Sequence, residues 1–544
     1  MATNHQTQIQ ELQAENERLK GEVEALLLKV AHYEELLRMA AKQSYGQSSE
    51  KRKDVYSDGY VQQDFFNEIE AGRSEDPSLE EALVEDSPET TGPSEKAPRR
   101  KRVPLSEKVA QLPVQDKVYE LPDEELQCHC GHTMEPAGTR VHHELVLIPA
   151  QVEVVRHHRQ VYFCRHCQNE DIRTPHRTAP GPRPFLGGGL ASATSVAYLV
   201  DRKFNQHVPL YRLEQEFADQ LGFSVTRATM CNWLSNTHER VLKPALEVLK
   251  ETVLESGHIH MDETVLQVLK EEGRDAKQKS HMWVLAAGNG SPIAEWYEYQ
   301  PRKDSLTIRQ MLRDYRGKIQ VDGYRGFDAL VGQAQLIGCW AHARRKFTDL
   351  EASLPADIRK SSVLVQGALG RIGALYDIEK TIKKERDKLP PEERERYTFE
   401  QRQKWSRPLV DEYFTWLKEI LPNVHGSQAL KAVHYSLGQE GKLRRYLDSG
   451  RAQIDNNLAE RGMKSFVTGR KNFLFSATPR GATASAGYYS LVCSAKRNHL
   501  KVFSYLVFLF EMLSQNPEAS KEQILEWMPW STTLPASLYS HLQQ

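Results

Sequence analysis

His258-Ile259-His260-Met261-Asp262-Glu263-Thr264 reads as a short β-type run that delivers a carboxylate near its end. Ile319-Gln320-Val321-Asp322-Gly323-Tyr324 has the same form. A third carboxylate, Glu460, lies in Ile454-Asp455-Asn456-Asn457-Leu458-Ala459-Glu460-Arg461, which reads as a helix. Two strand aspartates converging with a helix glutamate can hold a pair of divalent cations, which clamp the attacking and leaving oxygens in phosphodiester cleavage. Hard, oxygen-only ligands suit Mg²⁺ or Mn²⁺ rather than zinc. Either aspartate taken alone reads first as a solvated turn residue. Three such sites together, each with basic or amide neighbours, point to metal-dependent chemistry.

Strand-like runs at 258–269, 281–287 and 293–300 precede a helix at 304–315, and further strands follow at 317–322 and 334–340. Three consecutive strands, then alternating helix and strand, predict a mixed sheet in an α/β domain. Asp262 and Asp322 would lie on adjacent strands, with Gly323 allowing close approach of a phosphate. Residues 348–450 carry long charged helical stretches such as Ile378 to Arg396, an expected α-helical insertion ahead of the helix bearing Glu460. On that helix Asn456, Glu460 and Lys464 recur every four residues on one face. Glu460 would be the third ligand, and Asn456 and Lys464 would touch DNA. Glu263 should point to the opposite strand face, and Asp455 should be the helix N-cap. His342, Arg344 and Arg345, opening a helix after a strand, are expected to position a substrate strand, as are Arg470 and Lys471. A plain solvated basic surface is the alternative for this group.

Asp262-Glu263-Thr264, Val321-Asp322-Gly323-Tyr324, Cys339-Trp340-Ala341-His342-Ala343-Arg344-Arg345-Lys346-Phe347, Asp455-Asn456-Asn457-Leu458-Ala459-Glu460-Arg461 and Gly469-Arg470-Lys471-Asn472 together resemble the signature blocks of the insertion-sequence-66 type transposases. The resemblance runs from the N-terminal heptads to Trp527-Met528-Pro529-Trp530. Lys464 stands where arginine is expected and Phe473 where tryptophan is usual. The resemblance implies a bacterial DDE transposase with an RNase H-like catalytic domain at 256–347 and 451–500, interrupted by the insertion. It also implies a zinc-binding domain, recognition of terminal inverted repeats, and accessory transposition proteins as possible partners.

The net charge of −1 over 544 residues hides an uneven distribution. Residues 54–96 hold thirteen Asp or Glu against Arg73 and Lys96, a local charge of −11 that leaves +10 on the remainder. The remainder is thus mildly basic, as a DNA-binding enzyme requires. No apolar segment follows a basic start, and the longest apolar stretch, Val502 to Leu513, is interrupted and too short for a bilayer. A cytoplasmic, nucleoid-associated protein is expected. Seven cysteines, four in two close pairs, fit a metal site in a reducing compartment better than a disulfide framework.

Heptads place Ile9, Asn16, Val23, Val30 and Leu37 at a, with Leu12, Leu19, Leu26 and Tyr33 at d. Residues 1–45 are therefore expected to form a parallel dimeric zipper. Residues 46–106 read as an acidic disordered linker closed by Arg99-Arg100-Lys101-Arg102. In the next segment, 107–180, Cys128, Cys130, Cys164 and Cys167 could close a structural tetrathiolate zinc site. The tight Cys128-His129-Cys130 spacing keeps His129, His132 and His166 open as substitutes. Residues 181–255 read as helix-turn-helix-like, with Gly222 at the turn, a Ser224 cap, and Arg227 and Thr229 facing a groove. Residues 501–544 are expected to form a helical tail. The expected function is DNA transposition by a homo-oligomer, at least a dimer, acting on terminal repeats and target DNA without a membrane. A non-catalytic DNA-binding derivative is the alternative. A serine or tyrosine recombinase would need a nucleophilic hydroxyl in an arginine–histidine setting; Tyr488 and Tyr489 are available, but nothing in the sequence organises them.

Overall fold

The computed structural model describes residues 152–540, apart from 153, 159, 164–175, 179–181, 188–189 and 289–291. The expected zipper, the acidic linker and the four candidate zinc cysteines lie outside the described residues. Val161–Phe163 pairs antiparallel with His176–Thr178. Helices then dominate up to Glu255. Leu210–Asp219 (α1) and Arg227–Thr237 (α2) are joined through Gly222, whose φ of +65° is the left-handed conformation that a turn there demands. The cap of α2 is Thr226 rather than Ser224: its hydroxyl accepts the Thr229 N–H at 3.3 Å.

A five-stranded sheet follows, built from His258–Gln267 (β1), Lys279–Ala287 (β2), Ala294–Gln300 (β3), Lys318–Val321 (β4) and Gln335–Gly338 (β5). Its order is β3-β2-β1-β4-β5. The β1–β2 and β2–β3 pairs are antiparallel, while β1–β4 and β4–β5 are parallel. The last strand stops at Gly338, because Cys339 turns the chain into a helix from Trp340 to Ser353 (α3).

Beyond α3 the chain is helical, including Val363–Arg386 (α4) and Arg407–Ile420 (α5), until it enters Asn457–Phe473 (α6) and Pro479–Arg497 (α7). Helix α7 lies on the edge strand β3. Ser494 and Ser490, one turn apart, accept the Glu295 and Tyr297 N–H groups at 2.9 and 2.8 Å. Edge-strand donors that would otherwise seek another chain are thereby satisfied.

Two apolar cores result. One lies around the sheet, the N-terminal helices and α7, with Trp283, Tyr297, Phe327 and Leu491 buried in it. The other belongs to the insertion: Trp340 and Phe347 of α3 meet Ile372 of α4 and Tyr413, Phe414 and Leu417 of α5. Ile337 of β5 and Ile454, just before α6, belong to this second core, whereas Ala459 and Met463 of α6 belong to the first. The chain thus leaves one core at Ile454 and enters the other along α6. Fully burying each of these side chains contributes roughly 1.5–3 kcal/mol.

Candidate active site

The parallel β1–β4 register pairs His258 with Lys318 and His260 with Gln320. Extending it by two residues on each strand sets Asp262 level with Asp322, on the face shared by His260 and Gln320. Asp322 is the first residue past β4, and its Oδ1 accepts the Tyr324 N–H at 2.9 Å. Gly323 does not leave open space for a phosphate. A Cβ there would lie 2.5 Å from the Tyr435 ring, so the glycine makes room for the insertion.

Helix α6 crosses the same face of β1. Asn456 was expected against DNA but is fully buried at the start of α6. Its amide donates to Met261 O at 2.9 Å, and its Oδ1 lies 3.2 Å from His260 Nδ1. It ties helix to strand. Asn456, not Asp455, occupies the N-cap position. Asp455, one residue earlier and also buried, accepts the Asn457 N–H at 3.1 Å and the Tyr376 hydroxyl of α4 at 3.2 Å. Arg470, another expected DNA contact, is half-buried, and its guanidinium donates to Thr264 Oγ1 at 3.0 Å and to Val265 O. Between these two anchors, Glu460 sits one turn into α6, with Lys464 and Lys471 exposed further along.

Glu460 Oε1 is buried and accepts no hydrogen bond. It lies 3.6 Å from His342 Nδ1 of α3, and Oε2 lies 3.8 Å from Arg345 Nη2. Arg345 is exposed, while Arg344 is half-buried. Burial pushes the Asp262 carboxyl up to about 7, and Glu263, Asp322 and Glu460 add to the rise. The Glu263 carboxyl is raised too, chiefly by burial, although its ion pair with Lys303 opposes this. Beneath the carboxylates the strand face carries two imidazoles, with Lys318 opposite His258 at its start. His258 and His260 stack with centroids 5.2 Å apart, and burial holds both below the usual imidazole range. His342 is lowered by burial as well, despite the opposing pull of Glu460.

A site that gathers half-buried carboxylates over neutral imidazoles, with an unpartnered carboxylate oxygen, suits a hard cation that supplies the missing charge. Asp262, Asp322 and Glu460 would hold it. Away from this site, Arg227 is exposed and paired with Glu214 at 2.8 Å, and Thr229 serves in the α2 cap. The sequence reading passed over Cys339, whose Sγ accepts the Asn456 N–H at 3.2 Å. Its signal was the Cys339-x-x-His342 spacing, one helical turn beside the site.

The domain described as zinc-finger binding domain of transposase IS66 matches residues 125–168, the stretch containing Cys128, Cys130, Cys164 and Cys167. The chain is 28% identical over 436 residues to the uncharacterized protein y4jD of Sinorhizobium fredii, covering 77% of this chain and 80% of that protein. It is 26% identical over 533 residues to the uncharacterized protein y4qI of the same organism, covering 95% and 92%. Among the described residues no helix is long and apolar enough to cross a membrane. The description Transposase IS66 family matches residues 188–484, more than half the chain and all of the site, and the chain belongs to that family of transposases.

Proposed function

We propose that this transposase is a DDE enzyme in which Asp262, Asp322 and Glu460 form the metal-binding triad of an RNase H-like domain. What supports this reading is the β1–β4 register, which carried two residues past His260 and Gln320 brings Asp262 beside Asp322, together with the influence of both Asp322 and Glu460 on the Asp262 carboxyl. The sheet order, with its antiparallel first three strands and parallel last two, supports the fold assignment. Mg²⁺ or Mn²⁺, held by the three carboxylates, would activate water for hydrolysis at the element ends and stabilise the leaving oxygen, and would do the same for attack of the freed 3′-hydroxyl on target DNA.

The remaining residues position. Asn456 and Arg470 fix α6 against β1 and so aim Glu460, while Lys303 draws Glu263 away from the triad. His342, Arg344, Arg345, Lys464 and Lys471 present basic and imidazole groups to a phosphate backbone passing the site. Residues 1–45 would pair two chains and so two DNA ends. The four cysteines would hold a structural Zn²⁺, and residues 181–255 would contact the terminal repeats through Arg227 and Thr229.

The test is metal-dependent cleavage of end-containing DNA by purified full-length protein. Asp262→Ala, Asp322→Ala and Glu460→Ala should each lose at least about a thousand-fold in rate, the equivalent of several kcal/mol of metal catalysis. Folding and end binding should persist. Glu263→Ala should keep substantially more activity. Robust Mg²⁺-dependent cleavage by any of the three ligand variants removes that residue from the triad.

A further inference from the structure

Cys339, His342 and Glu460 bring a sulfur, an imidazole nitrogen and a carboxylate oxygen within 4.8 Å of one another. We infer that these three side chains form a second, softer metal site that takes a zinc-type ion and, by engaging Glu460, removes the third carboxylate from the Mg²⁺ site. The inference rests on the triad reading for its consequence, though not for the binding itself.

The donor set is the first argument. Thiolate, imidazole and a single carboxylate suit Zn²⁺ or Co²⁺ in tetrahedral geometry, with a fourth position left to water. Mg²⁺ has little use for sulfur or nitrogen donors. The second argument is the state of the ligand atoms. His342 Nδ1 and Glu460 Oε1 are both buried and without a hydrogen-bond partner, and they face each other at 3.6 Å. An imidazole and a carboxylate so placed would normally close to a hydrogen bond or separate to water. A zinc ion at about 2.0–2.3 Å from each donor needs ligand atoms roughly 3.3–3.7 Å apart, so the cluster has to contract by about an ångström or less.

The third argument is support from behind. Cys339 is the N-cap residue of α3 and His342 lies within the first turn, so one helix start presents both. The Asn456 N–H on Cys339 Sγ would stabilise a thiolate there. Burial, with Asp455 and Glu460 adding to it, holds the Cys339 thiol protonated, so an incoming cation has to displace that proton, and the same negative neighbours favour the cation. The two sites share Glu460 and cannot both use it fully. A soft ion here therefore acts as an inhibitor of the hard-ion enzyme.

The experiment uses full-length protein already replete with zinc in its N-terminal module, then titrated with Co²⁺. Wild type should bind one further Co²⁺ per chain, with a thiolate-to-cobalt absorption band. Cys339→Ser, which keeps an acceptor for Asn456, and His342→Gln should both lose that ion and band, while circular dichroism stays that of wild type. In Mg²⁺-supported cleavage, added Zn²⁺ should inhibit wild type. Cys339→Ser should retain its basal rate and need at least about tenfold more Zn²⁺ for the same inhibition, because the thiolate is its strongest donor. Equal Co²⁺ uptake by wild type and both variants overturns the site. So does an extra ion that depends on Glu460 and Asp262 but not on Cys339. If the ion binds as stated but no chain cleaves DNA, the soft site stands and the transposase triad falls.

Discussion

In the helical insertion the most deeply placed cation, Arg402, is matched on every side. Its guanidinium meets Glu379 at 2.8 and 2.6 Å and donates to the carbonyls of Tyr446, Ser449 and Ala452 at 3.1, 2.7 and 2.8 Å. Around Asp262, by contrast, a half-buried carboxylate has a neighbouring backbone N–H, other carboxylates and neutral imidazoles. The insertion uses charge to fix backbone, and what it fixes is the 446–452 turn that feeds α6. The sheet-bearing half leaves charge uncompensated where the proposed cation would bind. Rigid geometry on one side and unbalanced charge on the other are two halves of one preorganised site.

The largest effect should come from breaking the matched side. Arg402→Ala leaves Glu379 and three carbonyls without their donor, a loss of about 3–5 kcal/mol as for other broken buried pairs. Denaturant unfolding of the full chain measures it, and cleavage should fall as well because the entry to Glu460 loosens. A loss under about 1 kcal/mol would mean that the pair is solvated and the contrast is false.

Next comes the uncompensated side. Without metal, the Asp262 carboxyl is raised to about 7, against about 3.9 in an unfolded chain. Between those values the folded state holds a proton that the unfolded state has released, so stability falls as pH rises through this window and levels off above it. Asp262→Asn removes the charge. At pH 8 in chelator it should stabilise the protein by roughly 2–4 kcal/mol, and the gain should vanish near pH 4. Thermal melts across that range check both the size and the direction. Saturating Mg²⁺ should reverse the order by stabilising wild type alone.

Part of this contrast was legible in the sequence. The five strands fell within two or three residues of their expected bounds, because short runs punctuated by glycine and proline leave little choice of register. Asp322 does follow a strand end, but Asp262, read as lying near the end of its run, sits in the middle of β1, because the strand continues to Gln267. Helix-face reasoning did less well. The four-residue spacing of Asn456, Glu460 and Lys464 is real, but α6 begins against β1, so its N-cap Asn456 is buried. A single-helix argument cannot see what packs on each turn. Arg402 was invisible for a related reason, since its carbonyl acceptors lie 44 to 50 residues away.

A third experiment asks whether the two halves touch as closely as the seam implies. Gly323→Ala would place a methyl 2.5 Å from the Tyr435 ring. Overpacking of this kind costs about 1–3 kcal/mol. Adding Tyr435→Ala to Gly323→Ala should recover part of that loss, a coupling that a double-mutant cycle reads directly. Strictly additive losses would show that the glycine serves its own backbone and not the ring.

The smallest expected effect tests a single tether across the seam. Tyr376 of α4 donates its hydroxyl to Asp455 Oδ2 at 3.2 Å, just ahead of the helix that carries Glu460. Burial raises the Asp455 carboxyl to about 6, and the tyrosine hydroxyl opposes that rise by favouring the charged form. Tyr376→Phe should therefore cost about 1 kcal/mol where Asp455 is ionised, the usual net worth of one hydrogen bond. The deficit should be fullest above pH 7 and shrink below pH 5, where the protonated carboxyl has less to gain from a donor. Cleavage should slow less than for Arg402→Ala, because one tether is lost and the guanidinium still holds the preceding turn. A deficit independent of pH would assign the tyrosine to packing alone, leaving the insertion's hold on the active-site helix to Arg402.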